Sequence, residues 1–396
     1  MSPTIQKPDH PCIVIPGIKG TGLANIYSLP PATTWSAWEA ADQSLGDVDF
    51  ESLSLDAAAQ ADSAADVVNR ATQLLAIAYG SFARGLRGRS GQPVYLFPYD
   101  WRYSNVRAAG RLVNFVRMLQ QKRPKQTQSA PWDKTFDFAC HSMGGLVFRQ
   151  FLAAWRHAWP GDPLPVNRIV FIATPHLGSL DAVEAMIRGE TSLFDGRKEL
   201  RKLARTFPGV YELLPNPKLA RTVIQNENEL DIFDINSWQE NVTPDPQDPE
   251  DFNVEQRHLT AARDFINELP DVRSPEIGLA GRAFVIYGTG GETLRTVTVL
   301  EWQDGTKNWY DFDHAKCADG DQVVLVESAR LAGIASLEIK KADVSFFSLK
   351  SHMLGSLHAF LPSMDEVCSA TSRFFAGLTG PALLPKGVDP KQFHPA

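Results

Sequence analysis

The sequence predicts an α/β fold in which a mostly parallel, doubly wound sheet is interrupted once by an inserted cap. Three observations predict it. Short apolar runs alternate with segments of helical periodicity through the first 180 residues, and again from residue 283 onward. Residues 180–272 break that rhythm with short helical pieces, a FPGVYELLP stretch at 207–215 and an acidic, proline-rich loop at 243–250. Residues 135–151, TFDFACHSMGGLVFRQF, read as a buried strand, a sharp turn with a serine at its tip, and a helix. The expected division is therefore a core from 1–179 and 273–396, with the cap at 180–272.

Taken in order, residues 12–16 (CIVIP) form an apolar run that enters a glycine-rich loop at 17–22. That loop contains neither GK[ST] nor GxGxxG, so it is not read as a phosphate cradle. Residues 30–60 carry no regular pattern. Val67, Val68, Ala71, Leu74, Leu75 and Ala78 fall at helical spacing and predict a helix over 61–79. Residues 93–98 (PVYLFP) predict a second buried strand, running into Tyr99-Asp100-Trp101-Arg102 and then an amphipathic helix at 105–121. A polar linker at 122–131 leads to the serine-bearing segment. Strands are expected at 168–173 and 283–287, an antiparallel hairpin at 293–302 and 307–312, a strand within 335–348, and a helix at 363–377. Ligands of such sheets sit beyond the carboxyl ends of the strands, where these loops gather.

Composition bounds the function. With 396 residues, 43% hydrophobic and 21% charged, the chain can bury a sizeable core. A net charge of −7 argues against nucleic acid as a partner. It leaves a membrane surface open, because an apolar patch on the cap can dock peripherally without basic help. The first residues lack the basic–apolar–small pattern of a leader, and no run of 18 apolar residues occurs, so a cytoplasmic location is expected. Four cysteines lie far apart with no metal spacing, and Cys12 and Cys140 are expected as buried free thiols. No metal or organic cofactor is expected.

The chemistry points to Ser142. Cys140-His141-Ser142-Met143-Gly144 between a strand and a helix is the nucleophile elbow, G-x-S-x-G, of α/β-hydrolases, with cysteine in place of the first glycine. A serine hydroxyl needs a base to take its proton and a carboxylate to orient that base, and in this fold both follow the serine in the chain. Asp321, in a Gly-Asp turn before an apolar run, is the expected acid; Asp319, Asp311 and Asp313 are its rivals. His358 is the expected base, because Leu361 and a helix start bearing Asp365 and Glu366 follow it, whereas no helix start follows His352. His141 is read as elbow packing, since adjacent residues point apart, and His176 as a residue that lines the pocket. The oxyanion donors are expected to be the main-chain N–H groups of Ile18 and Met143.

Seven stretches in one order resemble the lecithin:cholesterol acyltransferase and lysosomal phospholipase family. They are IPGIKGTGL (15–23), FPYDWR (97–102), HSMGGLV (141–147), ATPHLGS (173–179), FPGVYELLP (207–215), VIYGTGGET (285–293) and GDQVVLVESA (320–329). The resemblance covers residues 12 to about 378. It implies that Ser142, Asp321 and His358 act as nucleophile, acid and base, with Ile18 and Met143 at the oxyanion hole. It also implies transfer of an acyl chain from a lipid ester to the serine, and then to water or an alcohol. Gln322-Val323-Val324-Leu325 departs from the family's Gly-Thr-Val-Pro after the acid. Two other functions share these residues: a deacylase or amidase on lipid-anchored or peptide substrates, and a hydrolase-like binding protein without catalysis.

Overall fold

The computed structural model describes residues 10–25, 32–35, 55, 69–74, 76–122, 133–189, 198–243, 252–301, 308–343 and 356–396. Strand β1 (Cys12–Ile15) is buried at every position. The chain then builds a small antiparallel sheet from β2 (Thr21–Asn25), β3 (Ala32–Trp35) and β4 (Asn69–Leu74), in the order β3-β2-β4. Two expectations change here. Gly22 lies in a strand instead of the glycine loop, and residues 69–74 are a strand instead of helix. Helix α1 runs Ala76–Ser90. Pairing with β2 sets the conformation of NRATQL, while three glycines (80, 85 and 88) lower the helix propensity of the segment that follows. The remainder of the expected helix, 61–68, lies outside the described residues.

Next come β5 (Val94–Leu96), α2 (Asn105–Gln121), β6 (Phe136–His141), α3 (Gly144–Ala158) and β7 (Val166–Ile172). Helix α2 begins where Ser104 accepts a hydrogen bond from the Val106 N–H, and it buries Ala108, Ala109, Leu112, Val113, Val116 and Leu119 along one stripe. After β7 follow α4 (Asp181–Ile187), α5 (Lys198–Thr206), β8 (Val223–Gln225), β9 (Asn228–Glu229) and α6 (Gln256–Glu268). The chain ends with β10 (Ala283–Thr289), the long hairpin β11 (Gly291–Leu300) and β12 (Trp309–Gly320), β13 (Ser336–Lys340), α7 (Asp365–Phe375) and β14 (Phe393–His394).

Seven strands form the central sheet in the order β14-β13-β10-β7-β6-β1-β5, parallel except for β14 at one edge. Its two faces are separately cored. Ile13, Ile15, Phe138, Cys140, Ile169, Phe171, Val285 and Tyr287 face one apolar cluster with α2 and α3. Their alternating neighbours Cys12, Val14, Ala139, Val170, Ile172, Phe284 and Ile286 face a second cluster with α1 and α7. Burial on both faces explains why these strands read as continuous apolar runs. The fold is the α/β architecture expected from the sequence.

The hairpin β11–β12 makes an excursion away from this sheet. It joins β8 and β9 in a separate four-stranded sheet ordered β12-β11-β8-β9. Its stem closes where it began: Asp319 Oδ1 accepts from the Gly290 N–H at 2.6 Å, and Gly291 pairs with Asp321. Residue 321 therefore stands beside the carboxyl end of β10, although it lies 31 positions beyond Gly290 in the chain.

Candidate active site

Strand β6 delivers Ser142 into a left-handed backbone conformation, φ 53°, which L-residues seldom adopt. The turn is held by the Ser142 N–H donating to Ile172 O (2.9 Å) and the Gly145 N–H donating to Ser142 O (3.0 Å). It can be this tight because Gly144 has no side chain: a Cβ there would lie 2.5 Å from Pro16 O and 2.6 Å from Ile15 O. Ser142 thus stands at the carboxyl end of the sheet, between β1 and β7, and is 5% exposed.

Asp321 and His358 reach it from the far end of the chain. His358 Nε2 is 2.8 Å from Ser142 Oγ, and His358 Nδ1 is 2.8 Å from Asp321 Oδ2. Asp321 is itself fixed, its Oδ1 accepting from the Val324 N–H (2.7 Å) and the Val323 N–H (3.1 Å). The His358 N–H donates to Asp321 O at 3.1 Å, so the two residues are joined through main chain and side chain together. His358 occupies the helical turn Leu357–Phe360 rather than a loop, with Ser356 as its cap. Gln322, a departure from the family's pattern, has φ 80°, and its Oε1 accepts from the Leu357 N–H at 3.0 Å. Its side chain thereby anchors the turn that carries the imidazole.

The rival residues are placed elsewhere. Asp319 serves the hairpin stem, Asp311 pairs with the exposed His314 at 2.9 Å, and Asp313 pairs with Arg188 at 2.9 Å. His352 lies outside the described residues. His176 packs edge-on against Phe171, and both of its ring nitrogens lack a partner among the described residues. Burial first, then the nearby Arg149 and Arg273, hold its imidazole neutral.

Ile18 and Met143 lie on the two loops that flank Ser142, and neither amide N–H has an acceptor among the described residues. Gly17 presses directly on the serine; a Cβ there would sit 2.7 Å from Ser142 Cβ and 3.2 Å from Oγ. The Tyr-Asp-Trp-Arg segment braces this loop from behind. Tyr99 Oη donates to Pro16 O (3.0 Å) and Trp101 Nε1 to Thr21 O (3.1 Å). Arg102, buried, forks onto Asp100 through Nε (2.9 Å) and Nη2 (2.7 Å). The 207–215 stretch locks on in turn: the Gly209 N–H donates to Arg102 O (3.1 Å), and Glu212 accepts from the Asn105 N–H (2.7 Å). The 173–179 loop reaches the acid loop, with Ser328 Oγ donating to Gly178 O at 2.7 Å. The motifs that look most distinctive in the sequence are thus mainly scaffolding around the three central side chains.

Two residues that touch this site escape the sequence reading in any functional role, Tyr79 and His141. The His141 ring lies between Tyr79 Oη (Nδ1, 2.8 Å) and His358 O (Nε2, 3.0 Å), and the Gly17 N–H donates to Tyr79 Oη at 2.9 Å. Burial and the neighbouring His358 keep His141 neutral. The signal in the sequence is a histidine inside an otherwise apolar strand, a polar group that must find buried partners.

Ser142 at a sharp strand-to-helix turn, with Asp321 and His358 from later in the chain, at the carboxyl end of a doubly wound sheet is the arrangement of the α/β-hydrolase fold. The comparisons place it further. Residues 86–258 match the lecithin:cholesterol acyltransferase family, a span that includes Ser142 but neither Asp321 nor His358. Over those residues the chain is similar to that family, and its fold is that of the α/β-hydrolases. No curated protein matches it significantly. Among solved structures, a Tle4–Tli4 complex contains a chain of the same fold, with 16% identity, coverage of 88% of this chain and 97% of that one, and TM-score 0.53. Bacillus licheniformis lipase BlEst2 (14% identity, 89% and 88% covered, TM-score 0.37) and EstA from Clostridium botulinum (13%, 91% and 89%, TM-score 0.32) are further matches. The family match supports an ester hydrolase or acyltransferase. No helix among the described residues is long and apolar enough to cross a membrane.

Proposed function

We propose that the protein is a serine acyl hydrolase or acyltransferase that cleaves a lipid-type ester through an acyl-serine intermediate. The observation that carries the reading is the unbroken row Asp321 Oδ2, His358 Nδ1, His358 Nε2, Ser142 Oγ, with 2.8 Å at both contacts. In this reading Asp321 holds the imidazole with its proton on Nδ1, so Nε2 is free to accept from the serine hydroxyl. Ser142 Oγ attacks the ester carbonyl carbon as His358 takes the proton. The oxyanion is stabilised by the N–H groups of Ile18 and Met143, each worth ~10²–10³ in rate. Collapse expels the alcohol, which receives the proton from His358. Water or an acceptor alcohol then attacks the acyl-serine by the same steps in reverse order of roles.

Lipid as the acyl source rests on the match to the acyltransferase family. The cap in this proposal comprises residues 180–272 together with the hairpin β11–β12, with which β8 shares a sheet. Leu300 and Trp309, cross-strand neighbours on that hairpin, are 40% and 36% exposed and support peripheral contact with a lipid surface. Cytoplasmic residence remains part of the proposal.

The test is active-site labelling. A fluorophosphonate should label Ser142 in the wild type, fail with Ser142→Ala, and label His358→Ala far more slowly. Rates on p-nitrophenyl esters should rise with acyl chain length. An unlabelled but folded wild type would leave only the binding-protein reading.

A further inference from the structure

The buried contacts of His141 settle where its protons lie. His358 O can only accept, so the His141 nitrogen 3.0 Å away, Nε2, must carry a hydrogen. A neutral ring then has a bare Nδ1, which must accept, so the Tyr79 hydroxyl donates to it. The same hydroxyl oxygen accepts from the Gly17 N–H. One directed chain of hydrogen bonds therefore runs Gly17 N–H, Tyr79 Oη–H, His141 Nδ1, His141 Nε2–H, His358 O, and every member is satisfied. Tyr79 is buried on α1 and His141 on β6, so the chain links three separate elements to the loop after β1.

We propose that Tyr79 and His141 are positioning residues that tie the oxyanion loop to the general base. Through adjacent residues of one turn, Ser142 and His141, the elbow grips His358 at two points: Oγ at its ring and Nε2–H at its carbonyl. Asp321 grips the same residue at its N–H and Nδ1. Four hydrogen bonds thus define the imidazole's position and tilt relative to the serine. At the other end, Tyr79 sets the plane of the Gly17 peptide, which directly precedes Ile18, the residue assigned as oxyanion donor. Alignment of the base and alignment of the donor are then one property of a satisfied network.

This inference rests on the catalytic reading of Ser142, Asp321 and His358, and the experiment separates the two. Tyr79→Phe keeps the ring and removes the link; His141→Gln keeps an N–H able to reach His358 O; His141→Leu keeps neither. Each is assayed for kcat and KM on a p-nitrophenyl ester and for the rate of fluorophosphonate labelling. The expected result is that kcat falls roughly 10- to 100-fold for Tyr79→Phe and His141→Leu, with KM nearly constant and His141→Gln partly restored. In the wild type, ¹⁵N NMR should find the His141 ring neutral with its proton on Nε2, and Tyr79→Phe should shift the Nδ1 resonance. A wild type that does not label sinks the catalytic reading itself. A wild type that labels, beside variants with lower melting temperatures but unchanged kcat, overturns the relay as a positioning device. So does a His141 proton found on Nδ1, a measurement that needs no variant to fold.

Discussion

Replacing Asp321 with asparagine tests the site most sharply, because the structure dictates how the new amide must sit. Oδ1 of Asp321 accepts from two main-chain N–H groups, those of Val324 (2.7 Å) and Val323 (3.1 Å), while Oδ2 faces His358 Nδ1. An asparagine has one oxygen to offer. If that oxygen faces the two N–H groups, the amide NH2 faces His358 and donates to Nδ1. The imidazole proton is then forced onto Nε2, the nitrogen that must accept from Ser142. If the amide turns over, its NH2 meets the two N–H donors in a site that is 1% exposed. Leaving two buried donors unpaired costs about 1–3 kcal/mol each, so the turned form is roughly 30-fold or more rarer. The wrong tautomer therefore dominates, and kcat on a p-nitrophenyl ester should fall about 10⁴-fold with the fold intact. Asp319→Asn, at a carboxylate that accepts from the Gly290 N–H in the hairpin stem, is the matched control and should remain within a few-fold of wild type. Asp321→Asn activity within tenfold of wild type would refute the assignment of the acid.

Three further predictions follow from single contacts. Gly17→Ala places a methyl 2.7 Å from Ser142 Cβ, so the loop carrying Ile18, the proposed oxyanion donor, must withdraw; a rate loss of roughly 10²–10³ with only a modest drop in melting temperature is expected, read by steady-state kinetics beside thermal unfolding. Glu212 is pushed up to about 7 from 4.5, by burial working against its bonds to Ser104 and Asn105. A raised folded value stabilises fully below about pH 4.5, and that stability is lost as pH rises to about 7, a change of about 3 kcal/mol. Urea melts of Glu212→Gln should therefore gain on wild type by about that much between pH 4.5 and pH 8, and a constant difference would contradict the sign. Gln322→Gly removes the acceptor for the Leu357 N–H but relieves a positive φ; kcat should fall several-fold while stability changes by less than about 1 kcal/mol.

Most of the framework was readable because the central strands are buried on both faces. Residues 12–16, 136–140 and 283–287 could hardly be anything else, and α2 matches its predicted span because its apolar stripe and its Ser104 cap agree. The failures have local causes. A strand of NRATQL has no period of its own and is formed by pairing with β2, and a helix with three glycines hides its propensity. The second sheet joins residues 223–229 to residues 291–320, a pairing between segments 60 or more residues apart that no window of sequence reports.

The three side chains named from the sequence lie in one hydrogen-bonded row, yet what holds them there was hardly visible, and the reason is chemical. A nucleophile, an acid and a base are constrained in type and in chain order, so pattern reaches them. Their supports are constrained only by the need to satisfy particular buried N–H and C=O groups, which many residue types can do. Gln322 illustrates this: measured against the family's glycine it is an anomaly, yet here its amide oxygen takes up the orphan Leu357 N–H at the start of the turn that bears His358. His141 does the same for the His358 carbonyl at the other side of that turn. At position 322, where this chain departs from the Gly-Thr-Val-Pro pattern it otherwise resembles, the residue present has a specific backbone group to serve, and a glycine there should cost rate before it costs stability.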